Sequence, residues 1–406
     1  MKTLNTRAVT DMKRLLIPLI ACLLLSSCGT QHTDYITSNT GEGATLTPII
    51  PSGSGYYYND NSNCRLALKY YDTASDKSIY LCSRPECTHD GNEFCNATSR
   101  KYVFLGMAEY EGELYIEACE YRENESVYKL LRAEKDGTGL SEISVFAKQQ
   151  TDGDNSFISV VSRCNPVIHR GKAYLTYRLE RDNSVSTWGI AEVDICTGVS
   201  KIILEEKSDG YMDHVSACGD DLFFMLFSRG DYNFDYILYH YDIKSGEIKE
   251  LVCPRNYPRE GTAHDGRYIY TAFENNKYGV YSYDPKTNST ELFDDTISAF
   301  FSDSKGGLRL KYDGKYWYAC KNIRQNVETF RFAIFSDSFE RLAEFDVPGE
   351  NTDISPDILD GILYLQYYSR VLKCPVDDIL KENIHWDEAY RFDRKIDREL
   401  EENAEN

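Results

Sequence analysis

The sequence predicts an all-β chain: a seven-bladed β-propeller of four-stranded antiparallel blades, preceded by an export signal and a tether. Three observations lead there. A glycine followed by alternating aromatic and aliphatic residues returns seven times, at Gly55, Gly112, Gly171, Gly219, Gly266, Gly314 and Gly361. From Gly171 onward it recurs every 47 or 48 residues. Aromatic residues make up 13% of the chain, led by 32 tyrosines against 5 methionines, which favours strands over helices. Repeats of about 40 to 50 residues with four short strands each mark a propeller, in which every blade covers its faces with its neighbours. An open solenoid or a sandwich would leave more sheet edges to protect. Rings of six or eight blades are the alternatives, because the two ends of the repeat are its least regular parts.

In chain order, residues 1–27 read as an export signal. Lys2, Arg7, Lys13 and Arg14 precede an apolar run from Leu15 to Leu25 that is too short to span a bilayer. Leu25-Ser26-Ser27-Cys28 resembles the bacterial lipobox, whose cysteine is acylated and becomes the new N-terminus. That resemblance implies lipidation at Cys28, a place in the bacterial cell envelope outside the cytoplasm, and the membrane as a partner reached through lipid. Each buried methylene adds about 0.8 kcal/mol, so two or three acyl chains hold firmly where one holds marginally. A plain secretory signal with an incidental Cys28 and an uncleaved anchor are the alternatives. Residues 28–43 read as a flexible tether, 44–392 as the propeller, and 393–406 as an acidic charged tail.

The fourth unit shows the repeat clearly: a run from Tyr236 to Asp242, a turn from Ile243 to Gly246, and a further run from Glu247 to Leu251. Tyr128 to Asp136, Trp188 to Asp194 and Tyr278 to Asp284 are its equivalents. Asp, Gly and Asn at the turns supply side-chain acceptors and positive φ. Weaker apolar runs ahead of each glycine, such as Phe104 to Met107 or Phe300-Phe301, are expected to complete the four strands. Ala44 to Ile50 is available as a first inner strand, and Asp377 to Phe392 either finishes the last blade or packs beneath it as a helix. The pattern Tyr-x-Tyr-Asp-x-x-Ser/Thr-Gly resembles repeats of YncE-like and TolB-like WD40-type propellers over about residues 44 to 392. This resemblance implies fold and carries no activity.

Charge narrows the partners. The formal net charge is −20; four bases against Asp11 give the signal +3, which leaves −23 on the exported part. Such a field excludes nucleic acid and anionic lipid surfaces as partners and tolerates cations, basic peptides and neutral ligands.

Thirteen cysteines are many for an exported chain. Cys119, Cys196, Cys218, Cys320 and Cys374 stand singly in apolar strand patterns and read as small buried thiols. Cys82, Cys87, His89 and Cys95 differ, since they fill the excess in the Gly55 to Gly112 interval. Three sulfurs and an imidazole over this span suit a structural Cys3His site with zinc as the cofactor. The rival is a disulfide, for example Cys87 to Cys95, with a remaining thiol and a surface histidine. A third reading leaves the cluster incidental. Either closure would staple the link between blades 1 and 2.

Propeller ligands usually meet loops where one blade's outer strand leads into the next blade's inner strand. Asp213, His214, His264, Asp265, Asp303 and Asp353 are placed there, as candidates for binding a sugar, peptide or cation. The bland alternative has these residues capping turns. Enzyme motifs are missing: there is no Gly-x-Ser-x-Gly, His-Glu-x-x-His, phosphate-cradling loop or sialidase-type Asp box. The expected function is therefore recognition of a glycan, peptide or envelope protein without catalysis. An extracytoplasmic polysaccharide hydrolase or lyase is one alternative; a structural spacer is the other.

Overall fold

The structure is a computed structural model that describes residues 50–391 except 53–54, 61–66, 73, 76, 90–94, 100, 123–124, 151–164, 181–185, 209, 230–233, 252–258, 275–276, 305–307, 324–328, 349–354, 360 and 367–369. Cys28, the tether 28–43 and the tail 393–406 lie outside the described residues. Among the described residues no helix is long and apolar enough to cross a membrane.

Seven four-stranded antiparallel sheets form the ring, each from four consecutive strands. Blade 1 holds β1 (Ile50–Ser52), β2 (Gly55–Asp60), β3 (Ala67–Asp72) and β4 (Lys77–Tyr80). Blade 2 holds β5 (Tyr102–Tyr110), β6 (Glu113–Arg122), β7 (Glu125–Glu134) and β8 (Ser141–Gln150). In blade 3 these are β9 (Val167–His169), β10 (Lys172–Glu180), β11 (Ser186–Asp194) and β12 (Ser200–Ser208). Blade 4 comprises β13 (Tyr211–Cys218), β14 (Asp221–Arg229), β15 (Phe234–Asp242) and β16 (Ile248–Leu251). Blade 5 comprises β17 (Arg259–His264), β18 (Arg267–Glu274), β19 (Lys277–Asp284) and β20 (Ser289–Leu292). Helix α1 (Asp295–Phe301) leads to blade 6, which holds β21 (Arg309–Tyr312), β22 (Tyr316–Asn322), β23 (Thr329–Ser336) and β24 (Arg341–Pro348). Blade 7 holds β25 (Ser355–Leu359), β26 (Ile362–Gln366) and β27 (Arg370–Pro375), then helix α2 (Val376–Leu380) and β28 (Asp387–Arg391). The last segment thus both finishes the blade and contributes a short helix.

Period-2 side-chain alternation explains why the second strands are apolar nearly throughout: both of their faces are covered. In β14, Leu222, Phe224 and Leu226 pack toward blade 3, while Phe223 and Met225 pack toward blade 5. In β6, Leu114, Ile116 and Ala118 face blade 1, and Tyr115 and Cys119 face blade 3. Outer strands meet water instead, as in β12, where Ile202 is exposed. The hydrophobic clusters follow the seams between blades, and the seam that closes the ring joins Tyr56, Tyr58 and Tyr71 of blade 1 to Tyr364 and Val371 of blade 7. Tyr56 and Tyr364 meet edge-on at 6.5 Å between ring centroids.

Local chemistry sets the turns. Between β5 and β6, Glu111 and Gly112 have φ of 50° and 88°, as a two-residue type I′ hairpin requires. In blades 3 and 4 the aspartate ending the third strand accepts from the main chain two and three residues on; Asp194 Oδ1 does so from Cys196 N and Thr197 N, and Asp242 Oδ1 from Lys244 N at 2.9 Å and Ser245 N at 2.7 Å. Phe104 to Met107 does lie in a first strand, β5, whereas Phe300-Phe301 does not: it ends α1. Asp294 caps that helix by accepting from the Thr296 and Ile297 amides, and Ile297, Phe300 and Phe301 then recur at helical spacing into the seam between blades 5 and 6. Cys196 also departs from expectation. It is exposed in the β11–β12 turn, its amide donating to Asp194.

Two outcomes are expected. Tyr56→Ala should lower unfolding free energy by about 3–5 kcal/mol through the cavity left at the closing seam, read from urea denaturation. Hydrogen bonds from Thr138, Ser245 and Lys286 hold the Asp136, Asp242 and Asp284 carboxyls below the ordinary aspartate value. Their contribution is complete above the unfolded value of about 3.9 and is lost as pH falls through the lower folded values. The urea midpoint should therefore drop between about pH 5 and pH 2. Asp242→Ala should cost about 0.5–2 kcal/mol at neutral pH and flatten that drop.

Candidate metal centre

Antiparallel order sorts the connections of every blade to two ends. Turns joining first to second and third to fourth strands lie at one end; loops joining second to third strands, and links between blades, lie at the other. Residues 81–101 form the link from β4 to β5. It is tied to blade 1, where Leu68 N donates to Ala97 O at 2.9 Å and Leu81 N to Leu68 O at 3.0 Å. It is tied to blade 2 as well, where Asn96 Nδ2 donates to Gly137 O at 2.9 Å. Gly137 has φ of 80° and presses so closely on the link that an added Cβ would stand 2.3 Å from Leu81 O.

Within this link Cys82, Cys87, His89 and Cys95 converge, and one ligand atom from each lies within 4.8 Å of all the others. Cys82 N donates to Tyr80 O at 2.7 Å and Cys87 N to Arg84 O at 3.1 Å, so a tight turn brings the first two sulfurs together. His89 adopts φ of 53° and stacks on Tyr80 at 4.3 Å between centroids. Its Nδ1 stands 3.5 Å from Cys95 Sγ. Cys95 is buried, and its sulfur accepts from Thr98 Oγ1 at 3.1 Å and Thr98 N at 3.4 Å. Burial pushes the Cys95 thiol up; burial, and then the neighbouring Lys69, push the His89 imidazole down. All three cysteines are thiols, with no disulfide joining them. Tyr80, Asn96, Thr98 and Gly137 were not among the sequence-derived candidates. Thr98 alone carried a local signal, a hydroxyl three residues beyond a cysteine.

The loop-face candidates do not form one group. Asp353 lies outside the described residues. Asp213 and His214 lie in β13, at a bulge that sets His214 and Val215 opposite Phe224, toward the blade-linking end. Asp303 shares that end, in the link from blade 5 to blade 6, and binds Lys321 Nζ at 2.5 Å. Lys321 is buried, donates also to Phe300 O and stands over the Phe300 ring. This pairing holds the Asp303 carboxyl below its usual range. His264 and Asp265 sit at the opposite end, in the β17–β18 hairpin, which corrects their placement. Asp265 supplies the left-handed φ of 47° that the turn requires. His264 packs edge-on against Tyr312 and Trp317, and burial lowers its pKa.

No protein-family model matches the chain, and no curated protein matches it. Among solved structures the ring is similar to an oligogalacturonate lyase in complex with manganese, with TM-score 0.51 and 11% identity over 81% of this chain and 86% of that one. It is also similar to a structure from a study of two prolyl endopeptidases, with TM-score 0.51 and 12% identity over 84% of this chain; the match spans 49% of that longer protein. TolB from Acinetobacter baumannii aligns at TM-score 0.38 and 14% identity over 81% of this chain and 76% of TolB. At such identities the likeness shows the propeller fold alone.

Removing the carboxylate beside Lys321 should be costly. Asp303→Ala is expected to destabilise the ring by about 1–3 kcal/mol by stranding a buried ammonium. Lys321→Met in the Asp303→Ala background should recover part of that loss in the same denaturation measurement.

Proposed function

We propose that this chain is a lipoprotein of the bacterial cell envelope, held through Cys28, whose propeller recognises a glycan, peptide or envelope protein without catalysing a reaction. One observation carries the reading. Ile50 begins the inner strand β1, so the polypeptide enters the ring at the same end as the links between blades. An anchor joined there turns those loops toward the envelope, and a coil of the length of residues 28–43 reaches about 20 Å. Charge favours the same class of ligand. Lys129 is matched by Glu120 and Glu142, Arg331 by Asp346 and Lys321 by Asp303, which leaves the acidic excess of the chain unopposed. Neutral glycans and basic protein surfaces suit that field. A polyuronate, of the kind named for the oligogalacturonate lyase, would meet repulsion.

The test is capture from native envelopes by the full-length lipidated protein, followed by a glycan array. Joint replacement Asp213→Ala and His214→Ala should weaken capture about tenfold, equivalent to about 1.4 kcal/mol, while Asp265→Asn at the opposite end should leave it intact. The reverse pattern, or release of new sugar ends from envelope polysaccharide, would overturn the recognition reading. Absence of any captured partner would favour the spacer.

A further inference from the structure

We propose that Cys82, Cys87, His89 and Cys95 hold one zinc ion in a closed Cys3His tetrahedron that locks the link between blades 1 and 2. This inference stands apart from the recognition reading, since it concerns what closes one link between blades and not what the propeller recognises. Zinc–sulfur bonds of about 2.3 Å and zinc–nitrogen bonds of about 2.0–2.1 Å give a tetrahedron with N···S edges of about 3.6 Å and S···S edges of about 3.8 Å. The His89 Nδ1 to Cys95 Sγ separation of 3.5 Å already matches one such edge, and the outer limit of 4.8 Å closes with a movement of about 1 Å. A disulfide would use two of the sulfurs and leave the third thiol and the imidazole without a shared task. The four-donor convergence is accounted for by a cation.

Donor chemistry selects the ion. Thiolate and imidazole donors with no carboxylate favour zinc over calcium or magnesium. All four donors come from the protein, so no position remains for water or substrate, and the site is structural. Binding converts three thiols to thiolates and releases three protons to solvent, which leaves the complex with one net negative charge. Two features meet that charge: the Thr98 hydroxyl and amide aimed at Cys95 Sγ, and Lys69 beside His89. The residues on either side are already fixed to blades 1 and 2 through Leu81, Asn96 and Ala97. The ion would therefore shorten the unfolded excursions of the link while leaving both blades in place.

Elemental analysis of the full-length protein, purified with reductant and supplied with zinc, should give one zinc per chain. Cobalt in its place should show the intense visible absorption of a tetrahedral thiolate site. Zinc should protect Cys82, Cys87 and Cys95 together from alkylation until a chelator is added, a readout independent of any variant that folds poorly. His89→Cys should retain the metal, and Thr98→Val should weaken it about 10–100-fold. A Cys87–Cys95 disulfide in protein from native envelopes, or less than about a tenth of an equivalent of zinc in the reduced protein, would overturn the proposal.

Discussion

Burial of both faces of every sheet is the constraint on which the structure depends. A lone four-stranded sheet bearing Leu222, Phe224 and Leu226 on one face and Phe223 and Met225 on the other has no solvent-tolerant side. Each blade is therefore stable only between two others, and the condition ends only when the last blade meets the first. The closing seam is made differently from the rest. Where the other seams mix aromatic with aliphatic side chains, four of the five buried residues of this one are tyrosines, Tyr56, Tyr58, Tyr71 and Tyr364. Tyrosine buries a large ring and keeps a hydroxyl for a polar neighbour, as Tyr58 does with Ser78 at 2.5 Å.

Features set by neighbouring residues were legible in the sequence. The turn glycines and the aspartates that end third strands act within a few residues, so their spacing alone located the blades. The inner strand before Trp317 was not legible, because Phe300-Phe301 is apolar in either conformation. Asp294, which caps the helix, decided the matter. His264 and Asp265 were assigned to the wrong end for a related reason. Composition does not tell a tight hairpin turn from a blade link when both hold polar residues; strand direction does.

The metal-ligand cluster was legible as a set of residue types and ambiguous as chemistry. Spacing admitted a disulfide, a metal or neither, and folding of the link supplied what spacing could not, the convergence of four donor atoms. Its surroundings come from distant sequence. Gly137 lies in blade 2, and only the packing of its turn against Leu81 shows why no side chain is tolerated there.

Among the described residues, blade 1 and blade 7 are each built wholly from their own consecutive strands, and no strand is hooked across the join. Traction arriving from the N-terminal side falls first on β1, which among the described residues is three residues long and paired only to β2, through Ile50, Pro51 and Ser52. Such a load peels the innermost ribbon one rung at a time, and its removal uncovers Tyr57 and Phe104 beneath. Under tension, the ring has its mechanical weak point where the polypeptide enters it.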